Sequence, residues 1–250
     1  LGMPINDIEF AGEDLEDYTI ESWFDHLTET LNKITKTEQP CLYVVDSLDS
    51  LSDKAEKERD ITKGTYGAAK PKLIGELFRR LVKDMEQTRL HLMIISQVRD
   101  KIGVMFGEKH TRTGGRAMDF YASQILWLAQ VKKLEKTILK QTRTYGTMVK
   151  AKCKKNKVGL PYRECEFPVV FGYGIDDIAA MITWLESISA KDSILRIINQ
   201  SSYKSSAALS EELKQVDRQS RIQICNELAS EVIDQWELIE QKFLPTTSKY

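Results

Sequence analysis

Residues 41–51 read CLYVVDSLDSL. The apolar run Leu42–Val45 ends on Asp46 and follows Gln39-Pro40, a pair that stops a helix. A short apolar run closed by an acid predicts a buried parallel strand with its carboxyl end at a polar edge. Upstream, Thr19–Ile34 places Ile20, Trp23, Phe24, Leu27, Leu31 and Ile34 at the spacing of an amphipathic helix. Downstream come a polar loop around Lys54–Gly67, a helix from about Pro71 to Gln87 and a second buried strand, His91–Ser96, leading into Gln97. After a glycine-rich loop, Ala117–Tyr121 predicts a short helical turn leading to a strand over Ser123–Gln130. Strands near Thr147–Lys154 and Glu166–Phe171 flank a basic turn. This alternation predicts an α/β fold, a mostly parallel sheet flanked by helices, with ligands beyond the carboxyl edge of its strands.

From Ile175 the pattern changes. Ile178–Ile188 is helical in spacing, Ser201–Ser206 is a serine-rich linker, and Leu209–Phe243 has an apolar residue at nearly every third or fourth position. The division expected is a core over residues 1–177 and a helical C-terminal region over 178–250, which acts as a lid or a packing subdomain.

At 250 residues the chain accommodates one large domain or a core with an appendage. Its apolar content of 42% and mean hydropathy of −0.36 are those of a water-soluble globular protein. No apolar run approaches the ~18 residues of a membrane span, and no secretory signal opens the chain. Cys41, Cys153, Cys165 and Cys225 are far apart with no CxxC, which argues against a metal site or disulfides and fits reduced, cytoplasmic thiols. His26, His91 and His110 are scattered and read as structural or solvent-facing. The net charge of −1 does not advertise a polyanionic partner, but charge is segregated: Arg143 to Arg163 holds seven Lys or Arg and no acid, whereas Glu9–Glu21 is acidic. Such a stripe is either a solvated face or a phosphate-binding surface.

The stretch Ile94–Ser123, IISQVRDKIGVMFGEKHTRTGGRAMDFYAS, joins a strand end to a loop of Gly, Thr, Lys and Arg interleaved with bulky apolar residues. In such a loop amides and cations face phosphates, while Ile102, Val104 or Phe106 wedges between or stacks on bases. Arg99, Lys101, Arg112 and Arg116 supply the cations. Gly103, Gly107, Gly114 and Gly115 permit close backbone approach. Asp46, ending its strand and followed by Ser47, has the chemistry that holds Mg²⁺ against nucleotide phosphates, directly or through water. Many buried strands also end on Asp merely for solvation.

Over some thirty residues without a gap, Ile94–Ser123 resembles the second DNA-binding loop of the bacterial RecA recombinases, a family of strand-exchange ATPases. YVVDSLDSL is similar to the segment of that family carrying its Walker B aspartate, and KCKKNKVGLP, residues 152–161, to the segment whose two lysines reach a neighbouring subunit's nucleotide. The resemblance covers roughly residues 1–177. It implies a P-loop ATPase core that uses ATP and Mg²⁺, forms a helical filament on single-stranded DNA, pairs it with homologous duplex DNA, and serves recombination, DNA repair and the SOS response to DNA damage.

Matched residue by residue, Asp46 and Ser47 bind the nucleotide and metal, and Gln97 senses the γ-phosphate, where the alternative is a polar strand cap. Lys155 and Lys157 act in trans, where the alternative is simple binding of DNA phosphate. Lys101, Ile102, Gly103, Val104, Thr113, Gly114 and Gly115 contact single-stranded DNA, joined by Arg99, Arg112 and Arg116. Phe120 lies at the subunit interface. KERDITKGTYGAAKPK resembles the family's shorter DNA loop. There Gly67 fits, Tyr66 replaces a bulky apolar residue, and one extra residue leaves open whether Lys70 or Lys72 stands for an arginine; Arg79 matches a basic position on the next helix.

The motif GxxxxGK[ST] and a water-orienting glutamate are not found. Together with Leu1 as first residue, this reads as an N-terminally truncated fragment, which by itself is expected to bind ATP poorly and to be inactive. Two alternatives are a non-hydrolysing relative that coats or modulates single-stranded DNA, and a ring helicase on the same core. The wording GVMFG…TGG argues against the helicase.

Overall fold

The computed structural model describes residues 8–9, 18–37, 39–58, 69–100, 110–112 and 115–245. The chain forms two compact units, Leu1–Ala122 and Ser123–Tyr250.

In the first unit, helix α1 spans Ile20–Thr37. Thr19 caps it: its hydroxyl accepts the Ser22 N–H at 3.2 Å, while Ser22 Oγ accepts the Thr19 N–H at 3.0 Å. This is a reciprocal arrangement of the capping-box type. The buried positions Ile20, Trp23, Leu27, Leu31 and Ile34 are those the spacing marks as one face. Strand β1, Cys41–Val45, pairs in parallel with β2, Leu90–Ile94, Val45 standing opposite Ile94. A 3₁₀ turn, Leu48–Ser50, and a short helix α2, Lys54–Glu58, follow β1, the latter where the sequence suggested loop. Helix α3, Ala69–Glu86, buries Ile74, Leu77, Phe78 and Leu81 against α1 and the strands. Each such side chain contributes about 1.5–3 kcal/mol on leaving water.

The β1–β2 pair is not buried on both faces. Leu42, Val44, Met93 and Ile95 are between 42% and 50% exposed. The run of apolar residues matches interior strands, but the described helices cover one side. Strands β3, Val98–Asp100, and β4, His110–Arg112, pair antiparallel. Helix α4, Gly115–Tyr121, then closes the unit, with Tyr121 stacked on Phe78 at 5.6 Å between ring centroids.

The second unit opens with a sheet of order β5-β6-β7-β8, antiparallel throughout. Here the structure departs from the expected parallel pairing, which β1 and β2 do show. Strands β5, Gln124–Ile138, and β6, Gln141–Asn156, run far beyond the Ser123–Gln130 and Thr147–Lys154 segments read from the sequence. They are joined by Leu139 and Lys140 alone, with φ of 50° and 63°. Positive φ at both central residues is the geometry of a type I′ turn, whose twist suits a tight hairpin. A two-residue link forces antiparallel pairing, because a parallel neighbour needs a crossover of a dozen residues or more. Strands β7, Glu164–Val170, and β8, Gly174–Ile175, complete the sheet.

Helices α5, Asp177–Ser187, α6, Lys191–Ile198, α7, Ser206–Leu213, and α8, Arg218–Phe243, share a core around Ile182, Leu185, Ile194, Leu209 and Leu228. Asp176 ties these elements together. Its carboxylate caps α5 by accepting the Ala179 N–H at 3.1 Å, accepts the Ser210 hydroxyl at 2.9 Å and pairs with Lys214 at 2.8 Å.

Candidate nucleotide and DNA site

The parallel register fixes where the candidate residues of the first unit lie. Ile95 N–H donates to the Val45 carbonyl at 2.9 Å and Leu48 N–H to the Ile95 carbonyl at 3.0 Å, so the chain leaves both strands at one edge. Asp46 follows Val45 there, exposed, with Ser47 half-buried beside it and a cis peptide between them. Gln97, also exposed, follows the end of β2 at the same edge. Its backbone N–H donates to Asp49 Oδ2 at 2.8 Å. Asp49 is the acceptor the sequence reading missed. Its only signal was the second acid of DSLDSL, three residues after Asp46. The Asp49 side chain is 6% exposed, and Arg99, 66% exposed, approaches it at 3.9 Å. At that exposure the ion pair contributes little, and the guanidinium remains presented to solvent. The hydroxyl of Ser96 is buried without a partner among the described residues.

This edge suits part of a magnesium nucleotide. Mg²⁺ is commonly held by one or two protein oxygens together with water and phosphates; an exposed carboxylate, an adjacent hydroxyl and an orphaned buried hydroxyl are donors of that class. No cluster of three or more His, Cys, Asp or Glu suited to a metal occurs among the described residues. The phosphate-cradling motif GxxxxGK[ST] does not occur in these 250 residues.

Of the candidate DNA residues, Lys101, Ile102, Gly103, Val104, Thr113, Gly114, Tyr66 and Gly67 lie outside the described residues. Arg112 lies in β4, and Gly115 and Arg116 open α4. Arg79 is exposed on α3. Lys70 and Lys72, either of which matches the family's arginine, have different surroundings. The Lys70 ammonium donates to the Leu51 carbonyl and is half-buried, whereas Lys72 is exposed. Phe120 is 71% exposed at the end of α4, edge-on to Tyr121.

Lys155 and Lys157 belong to the second unit. Lys155 stands opposite Ile125 near the end of β6. Lys157, exposed, is fixed through its backbone N–H, which donates to the Ser123 carbonyl at 2.9 Å. Between them Asn156 Oδ1 accepts the Gln124 amide at 3.3 Å and the Val158 N–H at 3.1 Å, which shapes the turn.

The basic stripe is not a uniform cationic surface. Lys150 pairs with Glu164 at 2.8 Å and Glu166 at 3.5 Å, and Lys152 with Glu164 at 3.5 Å. The hydrogen bond from Lys150 holds the Glu164 carboxyl below its ordinary range. Arg163 grips Glu240 of α8 through two hydrogen bonds, one of 2.6 Å from Nε, and Lys154 lies 4.5 Å over the Trp127 ring. The acids lie on β7 and α8, outside the counted window, so the sequence overstates the stripe's charge.

The model of the RecA N-terminal domain family matches residues 24–176. The RecA protein of Nostoc punctiforme is 32% identical over 158 residues, 63% of this chain and 43% of that protein. Gloeobacter violaceus RecA is 30% identical over 182 residues, 73% of this chain and 46% of that protein, and Synechococcus elongatus RecA 31% identical over 158 residues, 63% and 43%. The chain therefore spans a little under half the length of these relatives. No helix among the described residues is long and apolar enough to cross a membrane. With a matched region that contains the β1–β2 edge, the loop after it and the β5–β7 sheet, this chain belongs to the RecA family.

Proposed function

We propose that this chain is the DNA-handling part of an ATP-dependent recombinase that assembles on single-stranded DNA and pairs it with homologous duplex DNA in recombination and repair. The observation that carries the reading is the shared edge of β1 and β2, where the chain runs on into Asp46 and Gln97 and Asp49 holds the Gln97 backbone.

Asp46 and Ser47 hold the metal of a magnesium nucleotide. When bound, that group supplies an activated γ-phosphoryl whose charge Mg²⁺ partly neutralises. The Gln97 amide donates to a phosphate oxygen beyond the edge. Because Gln97 leads directly into β3, a shift of its side chain reaches the β3–β4 pair, which brackets Lys101, Ile102, Gly103 and Val104 in sequence and precedes Thr113 and Gly114. That loop, with Arg99, Arg112, Gly115, Arg116, Lys72, Arg79, Tyr66 and Gly67, follows the phosphodiester backbone and stacks on bases. Lys155 and Lys157 serve a neighbouring subunit's nucleotide, where cations supplied in trans stabilise charge on the transferring phosphoryl group only once subunits are stacked. The exposed Phe120 ring is suited to burial against that neighbour.

The test is ATP hydrolysis by the product of the complete reading frame, with and without single-stranded DNA, beside a Lys155→Ala/Lys157→Ala variant. Hydrolysis rising strongly with DNA and collapsing in the variant supports the reading. DNA binding with no turnover under any condition refutes it and leaves a DNA-coating protein.

A further inference from the structure

Asn156 separates Lys155 from Lys157, and its side-chain amide organises the turn that leads from β6 towards β7. Its Oδ1 accepts the Val158 N–H at 3.1 Å, and its Nδ2 donates to the Leu160 carbonyl at 3.5 Å. An asparagine that bonds the backbone two residues on stands in for a backbone turn. Gly159 permits the closure: a Cβ there would lie 3.1 Å from Asn156 Nδ2. A carbonyl oxygen has two lone pairs, and the second on Oδ1 takes the Gln124 side-chain amide at 3.3 Å.

Register explains why Gln124 and Asn156 meet. Gln124 stands opposite Asn156 and Ile125 opposite Lys155. The Lys157 N–H donates to the Ser123 carbonyl at 2.9 Å, which carries the pairing one residue past the strand. Hydrogen-bonded and non-hydrogen-bonded pairs alternate along an antiparallel ladder. With Ser123 and Lys157 bonded, Gln124 and Asn156 form a non-hydrogen-bonded pair, the kind whose side chains come closest. Lys155, one residue before Asn156, takes the other face of the strand. The clasp thus acts on the backbone between the two lysines. Both of its anchors follow α4 almost directly: Tyr121 ends that helix, and the Ala122 N–H closes it on the Met118 carbonyl at 3.0 Å.

We infer that Gln124, acting through Asn156, is a positioning residue for the lysine pair that serves a neighbouring subunit's nucleotide. The inference rests on the proposed role of Lys155 and Lys157 and deepens it. The need is one of spacing. Two cations stabilise charge on a transferring phosphoryl group only from fixed positions, and a misplacement of about 1 Å can cost a hundredfold in rate. The Val158 and Leu160 bonds close the turn on itself, whereas the Ser123 and Gln124 bonds tie it to the chain entering β5. One tie fixes place; the second also fixes rotation. On the same reading α4 carries Gly115, Arg116 and Phe120, so the covalent chain itself links the DNA-contacting segment to the lysines.

The experiment has two readouts. Amide hydrogen exchange on this chain, followed residue by residue, should quicken at Val158 by about two- to tenfold in Gln124→Ala, with the β1 and β2 amides unchanged. In the product of the complete reading frame, with ATP, Mg²⁺ and single-stranded DNA, Gln124→Ala should lower kcat about tenfold. The KM for ATP and the affinity for the strand should stay at wild-type values. Gln124→Glu, of equal length but without the amide donor, should match Gln124→Ala. On an Asn156→Ala background Gln124→Ala should bring no further loss, because the two residues act as one unit. With the wild type turning over, an unchanged kcat in Gln124→Ala overturns the inference alone, whether or not Val158 exchanges faster. Full activity in Gln124→Glu assigns the effect to side-chain bulk and overturns it too. A wild type without turnover under any condition instead overturns the proposed function on which the inference rests.

Discussion

The backbone N–H of Gln97 donates to the carboxylate of Asp49 at 2.8 Å, linking the end of β2 to the turn that follows β1. The contact makes the position of Gln97 depend on the segment that carries Asp46. With its side chain 6% exposed, Asp49 is, on the proposed reading, a positioning residue that acts through Gln97. A hydrogen bond to a charged acceptor in such surroundings contributes about 1.5–3 kcal/mol. Asp49→Ala is expected to reduce DNA-stimulated ATP hydrolysis while leaving single-strand affinity in the absence of nucleotide unchanged. Asp49→Asn, which keeps an acceptor oxygen, restores most of it. Equal defects in the two variants would exclude the amide-holding role.

On the proposed reading Lys72 binds DNA, whereas Lys70 is structural. Lys70 donates to the Leu51 carbonyl, while Lys72 projects from α3. Lys70→Gln should lower the melting temperature through loss of that bond, about 1–2 kcal/mol, with no change in the salt dependence of DNA binding. Lys72→Gln should do the reverse, weakening single-strand affinity and reducing its salt slope by about 0.7. Fluorescence anisotropy over a salt series together with thermal melts decides between them.

Asp176 joins α5, Ser210 of α7 and Lys214 in the second unit. Burial acts to lower the Lys214 pKa, but the hydrogen bonds that its ammonium donates to Asp176 and Glu211, together with the negative charge of both carboxylates, raise the value overall. Asp176→Ala removes the cap and leaves a largely buried ammonium with only its remaining partners, a loss of about 2–4 kcal/mol. In urea the unfolding midpoint should fall with its slope unchanged. A midpoint within error of wild type would show that the cluster carries no net stability.

The Arg163–Glu240 pair gives a pH signature. Arg163 holds the Glu240 carboxyl below its ordinary range, so the native state binds fewer protons than the unfolded chain as the pH approaches that range. The resulting stability is present in full above the unfolded carboxylate value, about 4.3, and is lost as pH falls through the lower native one. Glu240→Gln should therefore melt below wild type at neutral pH, with the gap closing under acidic conditions. A gap that stays constant with pH would assign the effect to packing of the side chain.

Much of the first unit was legible because its signals are local. The buried positions of α1 are the periodic ones, and Asp46 and Gln97 were marked by apolar runs that end on polar residues. What escaped depends on pairing. The hairpin beyond Gln130 alternates too weakly in hydropathy to announce strands, and its Leu139-Lys140 turn lacks the Asn-Gly or Asp-Gly that flags a type I′ geometry. Continuous helix over Leu209–Phe243 was expected, but the chain breaks after α7, and Asp217 caps α8 by accepting the Ser220 N–H at 3.0 Å. Asp49, Glu164 and Glu240 gained their roles from partners 48, 14 and 77 residues away, separations that no periodicity reports.

Strand β7 pairs with β6 only as far as Gly146, so the β5–β6 hairpin runs on past the rest of its sheet and its length is an independent variable. Residues added there lie past the last β6–β7 pair, Gly146 and Val170, and leave that pairing unchanged. Parity, however, does matter, because side chains alternate strictly between the two faces of a strand. One residue added to each strand at its base sends Lys136 and Arg143, which stand opposite each other, to the other face, whereas two added to each strand keep the face and move the pair outward by about 7 Å. Evolution or design along this element is therefore quantised: reach changes in even steps, and an odd step reverses the side from which charge is presented.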